Sequence, residues 1–264
     1  MSSPELLSDF GAVDGAAARE QARSILLWDL PLRVFHWSLV AAVTVAIATG
    51  EAGGAWMPWH GRAGLVIAGL LVFRVLWGVL GSATSRFTQF APTPARLLAY
   101  LRGRWRGVGH NPLGALSVFA LLGLLSLQAA TGLFGNDDIA FAGPLNHLVD
   151  DAAGSRATGW HRLLADGLIA LVVLHLLAIA FHVLVKRHRL LRPMITGRHE
   201  LEAGLVLPRP RGYGRFGLLS AVVVAATAVL ALAGAGETPV PSASAAVKPA
   251  LVAAPAGAAS TPAW

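Results

Sequence analysis

The chain has 264 residues, of which 55% are hydrophobic and only 13% charged, a balance that indicates membrane spans rather than a soluble domain. It contains no cysteine, which excludes a structural disulfide, a thiolate metal site, an iron–sulfur cluster and covalent haem attachment. The net charge of +7 would suggest nucleic acid as a partner of a soluble protein, but here most arginines lie between apolar runs, so membrane topology explains them and no nucleic acid is expected.

The first 24 residues carry four acidic side chains, no basic start and no continuous apolar core, so they are predicted to be a disordered cytoplasmic lead rather than a signal peptide. Five apolar runs follow, each close to the length of about 20 helical residues that crosses a bilayer. They extend approximately from Leu32 to Gly50, from Gly61 to Leu80, from Leu113 to Phe134, from His161 to Val185 and from Phe216 to Ala235. The predicted fold is therefore all-α and embedded in the lipid bilayer.

Loop charge predicts the orientation of these spans. Arginine and lysine collect before span one, between spans two and three, and between spans four and five, while the opposite loops contain few. The positive-inside rule therefore predicts a cytoplasmic N-terminus and a C-terminus on the other side. Residues 237–264 are rich in alanine, proline and serine and are predicted to be a disordered tail.

Four histidines lie within the spans or at their ends, at two depths. Trp-His pairs open spans two and four, which predicts His60 and His161 at the outer helix mouths, with Trp59 and Trp160 in the interfacial aromatic belt. His175 follows His161 by fourteen residues, or roughly 21 Å on the same helix face. His36 enters from the other side at a similar depth, so the sequence predicts an outer pair and an inner pair.

Two imidazoles facing each other across a bundle suit a haem iron with two axial histidines, which carries electrons and, without cysteine, must be a b-type haem. The sequence leaves three alternatives open. A histidine in a span can instead form an interhelical hydrogen bond; a zinc ion would need its ligands at one depth; and His182 is the rival of His175 as inner ligand. His110, ahead of span three, fits a helix cap or a quinone-side position.

Two further residues are candidates for contact with a haem. Arg74 lies in the middle of span two, fourteen residues after His60, where a buried guanidinium needs a partner such as a haem propionate; the alternative is an interhelical salt bridge. Gly64 lies one turn below His60 and is predicted to make room for a haem face, although ordinary helix packing explains most glycines in these spans.

The motifs together resemble the bacterial cytochrome b561 family, and more narrowly the branch that includes the b-type cytochrome subunits of nickel–iron hydrogenases. The similarity covers about Ile25 to His199 and rests on "VFHW", "PWHGRAG", "FRVLWG", "GHNPLG", "WHRLLA", "VLHLLA" and "LVKRHRLLRPMITGRHE". It implies a four-helix bundle in residues 25–199 with two b haems, ligated by His36, His60, His161 and His175. The fifth span (within 200–236) and the tail (237–264) depart from the family pattern.

This resemblance implies a protein of the bacterial inner membrane that carries electrons between quinone and a periplasmic partner, either a c-type cytochrome or a hydrogenase-like subunit. One alternative is a stand-alone quinol oxidase that reduces a small acceptor such as superoxide; another is a haem-free transporter or scaffold. No motif identifies a quinone pocket. The oligomeric state is open, and a homodimer is compatible with a bundle of this size.

Overall fold

A computed structural model describes residues 24–107, 109–137, 141–187, 190–200 and 214–235. In chain order the elements are β1 (Ser24–Leu26), α1 (Leu30–Ala52), α2 (Met57–Leu80), α3 (Phe87–Phe90), α4 (Pro94–Leu101), α5 (Pro112–Phe134), α6 (Asp151–Leu184), α7 (Leu191–Thr196), β2 (Arg198–Glu200) and α8 (Arg215–Ala235), with 3₁₀ turns at Gly54–Trp56 and Asn146–Leu148. The predicted disordered lead, apart from Ser24 in β1, and the tail lie outside the described residues.

The five predicted spans are confirmed as helices α1, α2, α5, α6 and α8, each long and apolar enough to cross a membrane. Their large apolar side chains are widely exposed on the protein surface, as in Leu177 at 61% and Leu184 at 74%. An exposed apolar surface of this extent requires lipid rather than water around it. The chain is therefore a multi-pass membrane protein.

Side-chain caps fix where three of these helices begin. Asp29 accepts a hydrogen bond from the Leu32 amide at 2.8 Å, Asn111 from the Gly114 amide at 2.7 Å, and Asp150 from the Ala153 amide at 2.6 Å. Each cap satisfies an amide that the first helical turn leaves without a partner. The helix start predicted at Asn111 is confirmed, and Asn111 rather than His110 is the capping residue.

The predicted start of span four was wrong. Helix α6 begins at Asp151, ten residues before His161, so Trp160 and His161 lie about three turns inside the helix and not at its mouth. The first three turns are rich in alanine and polar residues. They form a helix under the Asp150 cap, but they are not apolar, so hydropathy alone does not detect them.

A two-stranded antiparallel sheet, which the sequence did not predict, joins the two ends of the region from Ser24 to Glu200. Ser24 pairs with Glu200, and Leu26 with Arg198. The carbonyl of Gly197, directly before β2, accepts hydrogen bonds from the Leu27 amide at 2.7 Å and the Trp28 amide at 3.2 Å. This end of the bundle, where α1 and α5 begin and α2 and α6 end, is called the sheet end below, and the opposite end is called the loop end.

Helices α1, α2, α5 and α6 form the four-helix bundle, with α1 on α2, α5 on α6 and α2 on α5. Helix α8 packs on the outside of α2: a Cβ built on Gly69 would lie 2.4 Å from a methyl of Val229, and one on Gly217 would lie 3.8 Å from Leu80 Cβ. These two contacts show that α8 runs antiparallel to α2. Ala221 and Ala225 of α8 are buried in the same apolar cluster as Phe73 and Trp77 of α2, so the fifth helix is an integral part of the fold.

Candidate functional site

His60 in α2 and His161 in α6 face each other near the loop end. Their ring centroids are 5.8 Å apart and the ring planes are nearly perpendicular, at 85°. Two imidazoles bound to opposite sides of one metal ion, through metal–nitrogen bonds of about 2 Å, have centroids roughly 6 Å apart. The centroid separation of this pair is therefore close to that of two imidazoles bound to one metal ion.

The hydrogen bonds of both rings fix which nitrogen carries the proton. His60 Nδ1 donates to the Ala46 carbonyl at 2.8 Å, and His161 Nδ1 donates to the Gln128 carbonyl at 2.9 Å. A carbonyl only accepts, so each Nδ1 is protonated and each Nε2 of the neutral ring keeps its lone pair. The Gln128 side-chain amide donates to His161 Nε2 at 3.1 Å, in agreement with this tautomer. A carbonyl on one ring nitrogen is the usual arrangement for a histidine whose other nitrogen binds a metal.

Two glycines that the sequence prediction assigned to ordinary packing lie against these rings. A Cβ built on Gly50 of α1 would lie 3.0 Å from His60 Nδ1, and one built on Gly132 of α5 would lie 2.9 Å from His161 Cε1. Any side chain at either position would push the ring away from its carbonyl. The only sequence signal for this role was the presence of a glycine in a helix that neighbours a histidine.

A cavity of about 550 Å³ lies beside the pair, between the loop-end halves of the four bundle helices. Its volume falls within the range of about 300–1,000 Å³ that is common for sites of small molecules and cofactors. Gly64 lines it, and a Cβ built on Gly64 would meet nothing within 4 Å, so this glycine borders open space; its contact with a haem face stays a prediction. The Phe141 ring lies against Gly61 at the same cavity, where the loop after α5 folds over its end.

His36 in α1 and His175 in α6 lie nearer the sheet end, close enough to interact electrostatically. His175 Nδ1 is 3.3 Å from the Ser117 hydroxyl of α5. His36 Nδ1 is buried and has no hydrogen-bond partner among the described residues, so this nitrogen does not form the interhelical hydrogen bond of the alternative interpretation. The rival inner ligand, His182, turns its Nδ1 to the Ala178 carbonyl of its own helix at 2.9 Å.

Arg74 is buried, with 2% of its surface exposed, and its contacts lie at the sheet end. Its Nη1 donates to the Ser85 carbonyl at 3.3 Å, and its guanidinium lies 4.4 Å from the Phe87 ring centroid. Asp29 provides the opposite charge nearby. The sequence prediction named a haem propionate or an interhelical salt bridge for Arg74 and did not identify Asp29, which lies one residue before α1. The assignment of Arg74 to a haem propionate stays a prediction.

Asp29 itself is the centre of a buried hydrogen-bond network that sequence reasoning did not find. Besides the Leu32 amide, its carboxylate accepts the Trp77 indole N–H at 3.2 Å and the hydroxyls of Ser82 and Ser85. Its carboxylate thus joins the start of α1, the end of α2 and the turn that follows α2.

His110 packs beside this network, with its ring centroid 4.6 Å from that of Trp28 and 4.7 Å from that of Phe90. Burial, followed by the charge of Arg74, lowers the pKa of His110 from its ordinary 6.5 to about 4, so the ring is neutral at physiological pH. Over the described residues no group of three or more histidine, aspartate or glutamate side chains is placed so that it could hold a metal ion.

Comparison with known proteins gives one family. The family model of prokaryotic cytochrome b561 matches residues 27–197. The chain is 24% identical over 222 residues to the "Probable Ni/Fe-hydrogenase B-type cytochrome subunit" of Azotobacter chroococcum mcd 1, an alignment that covers 70% of this chain and 92% of that protein. A protein of the same description from Azotobacter vinelandii is 24% identical, with 70% and 92% covered, and one from Bradyrhizobium diazoefficiens is 22% identical, with 73% and 94% covered. No solved structure matches the chain significantly.

Proposed function

The chain belongs to the prokaryotic cytochrome b561 family and is a membrane b-type cytochrome of electron transfer, and we propose that it binds two b haems and carries electrons between the quinone pool and a redox partner outside the cytoplasm. The observation that carries this proposal is the facing pair of His60 and His161, with both Nδ1 protons donated to backbone carbonyls.

His60 and His161 would hold the first haem through their Nε2 atoms. When bound in this way, a haem exchanges single electrons and keeps no free coordination position for oxygen. The residues around it act before any haem binds: the carbonyls of Ala46 and Gln128 set the tautomer of the two rings, and Gly50 and Gly132 let the rings approach these carbonyls.

His36 and His175 would hold the second haem. Their mutual proximity supports this pairing. The fourteen-residue spacing on the continuous helix α6 sets the two ligands of that helix roughly 21 Å apart along its axis. We also retain Arg74 as a partner of a propionate of this haem, on the basis of its burial and its place on α2.

The orientation we propose places the sheet end in the cytoplasm. The described residues at that end include Arg33, Arg86, Arg96, Arg102, Arg104, Arg106, Lys186, Arg187, Arg192 and Arg198, whereas the loop end has Arg62, Arg156 and Arg162. This charge asymmetry supports a cytoplasmic N-terminus and a periplasmic C-terminus. The pair of His60 and His161 would then lie on the periplasmic side.

The relatives' descriptions support a nickel–iron hydrogenase as the redox partner, with a periplasmic c-type cytochrome as the alternative. A test compares two electron donors. Membranes that contain the chain with a hydrogenase encoded beside it should show haem reduction by H₂, while membranes that contain the chain alone should show none. If quinol reduces the haem completely without any partner protein, and the chain then reduces superoxide, the stand-alone quinol oxidase is supported instead.

The ligand assignment is tested by the haem content of the purified chain, with the reduced-minus-oxidised spectrum. We expect two b haems in the wild type and one in each of His161→Ala and His175→Ala. His182→Ala is the matched control on the same helix and should keep both. Two haems in His175→Ala would contradict the inner assignment, and a folded wild type without haem would contradict the whole proposal.

A further inference from the structure

We propose that the segment Pro94–Gly107, which comprises α4 and the arginine-rich turn after it, is an in-plane membrane anchor that binds anionic phospholipid headgroups. The segment connects the end of α2 to the start of α5 and so lies at the sheet end, at the level where the spanning helices leave the bilayer. Lipid binding by this segment does not depend on the haem ligands.

Helix α4 has an apolar face that the protein does not cover. At helical spacing Pro94, Leu97, Leu98 and Leu101 fall on one side, opposite Arg96. Leu98 is 45% exposed and Leu101 67% exposed, and the helix contains no buried residue. A short helix with one apolar side at this level fits a position in the interfacial plane, with its leucines turned to the acyl chains.

The charge of the connection is of one sign. From Ser82 to Gly107 the sequence contains five arginines and no aspartate or glutamate. Two of them serve the fold: Arg86 donates to the Gly81 carbonyl at 3.0 Å, and Arg96 to the carbonyls of Gln89 and Ala91 at 3.1 Å each.

The other three arginines are exposed, and their guanidinium groups form no hydrogen bond or ion pair with any described residue: they are Arg102, Arg104 and Arg106. They follow each other at every second position, directly after the exposed leucines. A guanidinium binds phosphate through a fork of two N–H groups, so three of them in a row fit a cluster of phosphate headgroups.

The same segment contains an aromatic pair. Tyr100 and Trp105 are in edge contact, with ring centroids 6.1 Å apart. Tyrosine and tryptophan prefer the boundary between acyl chains and headgroups, because an apolar ring and a polar tip are both satisfied there. Exposed leucines, an aromatic pair and exposed arginines thus occur together within fourteen residues, and this combination favours an anionic lipid surface over an acidic soluble protein as the occupant.

The depth of the segment can be measured directly, since the chain has no cysteine. A single nitroxide label is placed on Leu101→Cys or Arg104→Cys in the haem-loaded full chain, reconstituted in bilayers. Collisions with oxygen report the acyl region, and collisions with a water-soluble nickel complex report solvent. We expect the label at 101 to be accessible to oxygen and the label at 104 to be at headgroup level. Equal access of nickel to both labels would overturn the in-plane position.

Lipid selectivity tests the arginines. The purified haem-loaded chain is titrated with phosphatidylglycerol or phosphatidylcholine, and bound lipid is counted by native mass spectrometry, so that no other protein is present. Near an anionic surface each arginine contributes roughly a fivefold gain in binding. We expect the triple variant R102Q/R104Q/R106Q to lose at least about tenfold of the preference for phosphatidylglycerol.

Arg156→Gln, at the loop end, is the control and should keep the preference. If the triple variant prefers phosphatidylglycerol as strongly as the wild type does, the proposal is overturned, because the preference then arises elsewhere on the chain. The proposal is also overturned if neither protein prefers phosphatidylglycerol. A loss in the Arg156→Gln control equal to that in the triple variant would also overturn it, because net charge rather than this segment would then be responsible.

Discussion

Gly132→Ala tests whether helix α5 holds His161 in place. The added Cβ would lie 2.9 Å from His161 Cε1 and 3.2 Å from Nδ1. Carbon atoms in favourable contact are about 3.5–4.0 Å apart, so the ring must withdraw by roughly half an ångström or more. The backbone of α5 cannot yield as easily, because Gly132 lies inside a regular helix.

This movement of the His161 ring weakens the hydrogen bond that fixes its tautomer, which His161 Nδ1 donates to the Gln128 carbonyl at 2.9 Å. An added methyl in a packed site costs about 1–3 kcal/mol, or roughly 5- to 150-fold in an equilibrium constant. We therefore expect Gly132→Ala to bind the outer haem more weakly by a factor in this range, while the inner haem stays bound. Haem content at limiting haem and low-temperature electron paramagnetic resonance of the oxidised protein measure occupancy and ligand geometry.

Gly123→Ala is the matched control, since Gly123 lies on the same helix and its added Cβ would meet nothing within 4 Å. Full occupancy with an unchanged resonance spectrum in Gly132→Ala would refute the argument that this glycine positions His161. The same loss in Gly123→Ala would refute it too, since helix packing rather than ring contact would then be the cause.

Four further variants probe other parts of the fold. Gly64→Ala should weaken binding of the outer haem without lowering the thermal stability of the haem-free chain, because its Cβ meets no protein atom within 4 Å; unchanged haem binding would show that Gly64 does not face the cofactor. Asp29→Asn should destabilise the chain by roughly 2–4 kcal/mol, since the amide cannot accept the indole and both hydroxyls together, and a melting temperature equal to the wild type would contradict this. The depressed pKa of His110 means that the unfolded chain takes up the proton first, so stability falls as pH drops from 6.5 towards about 4. In His110→Phe, the loss of unfolding free energy between these pH values should be smaller by up to about 3 kcal/mol, as measured by thermal unfolding. The same pH dependence in variant and wild type would exclude His110 as a cause of this loss. Gly197→Ala, at φ +79° with its Cβ 2.7 Å from a carbonyl oxygen, should destabilise more than Gly103→Ala, at φ +68° with no contact; equal melting temperatures would contradict the clash.

The spans could be predicted from the sequence because each is an uninterrupted apolar run, and hydropathy needs no tertiary information. The same signal failed at the start of α6, where Asp151–Trp160 form helix without being apolar. It also failed at β1 and β2, since strands of three residues carry no periodicity and their pairing joins residues about 175 positions apart, a contact that no local pattern encodes.

The histidines of the candidate site could be selected from spacing, since fourteen residues return to one face of a helix. The groups that hold these histidines in place could not be predicted from the sequence. The carbonyls of Ala46 and Gln128 are backbone atoms, which every residue has, so no residue type marks the position. Asp29 carries a recognisable side chain, but it lies one residue outside α1, where a search restricted to the spans does not reach.

Helix α5 contains no histidine, but it contacts both histidines of α6. It provides the Gln128 carbonyl and Gly132 to His161, and the Ser117 hydroxyl to His175. Both α6 histidines therefore contact one neighbouring helix, whereas His60 contacts α1 through the Ala46 carbonyl. Under the proposed ligation, a helix that touches the rings and not the iron can tune ring orientation and basicity at both depths without changing the ligand set. Under the proposed ligation from three helices, α5 therefore acts as the support of both α6 histidines.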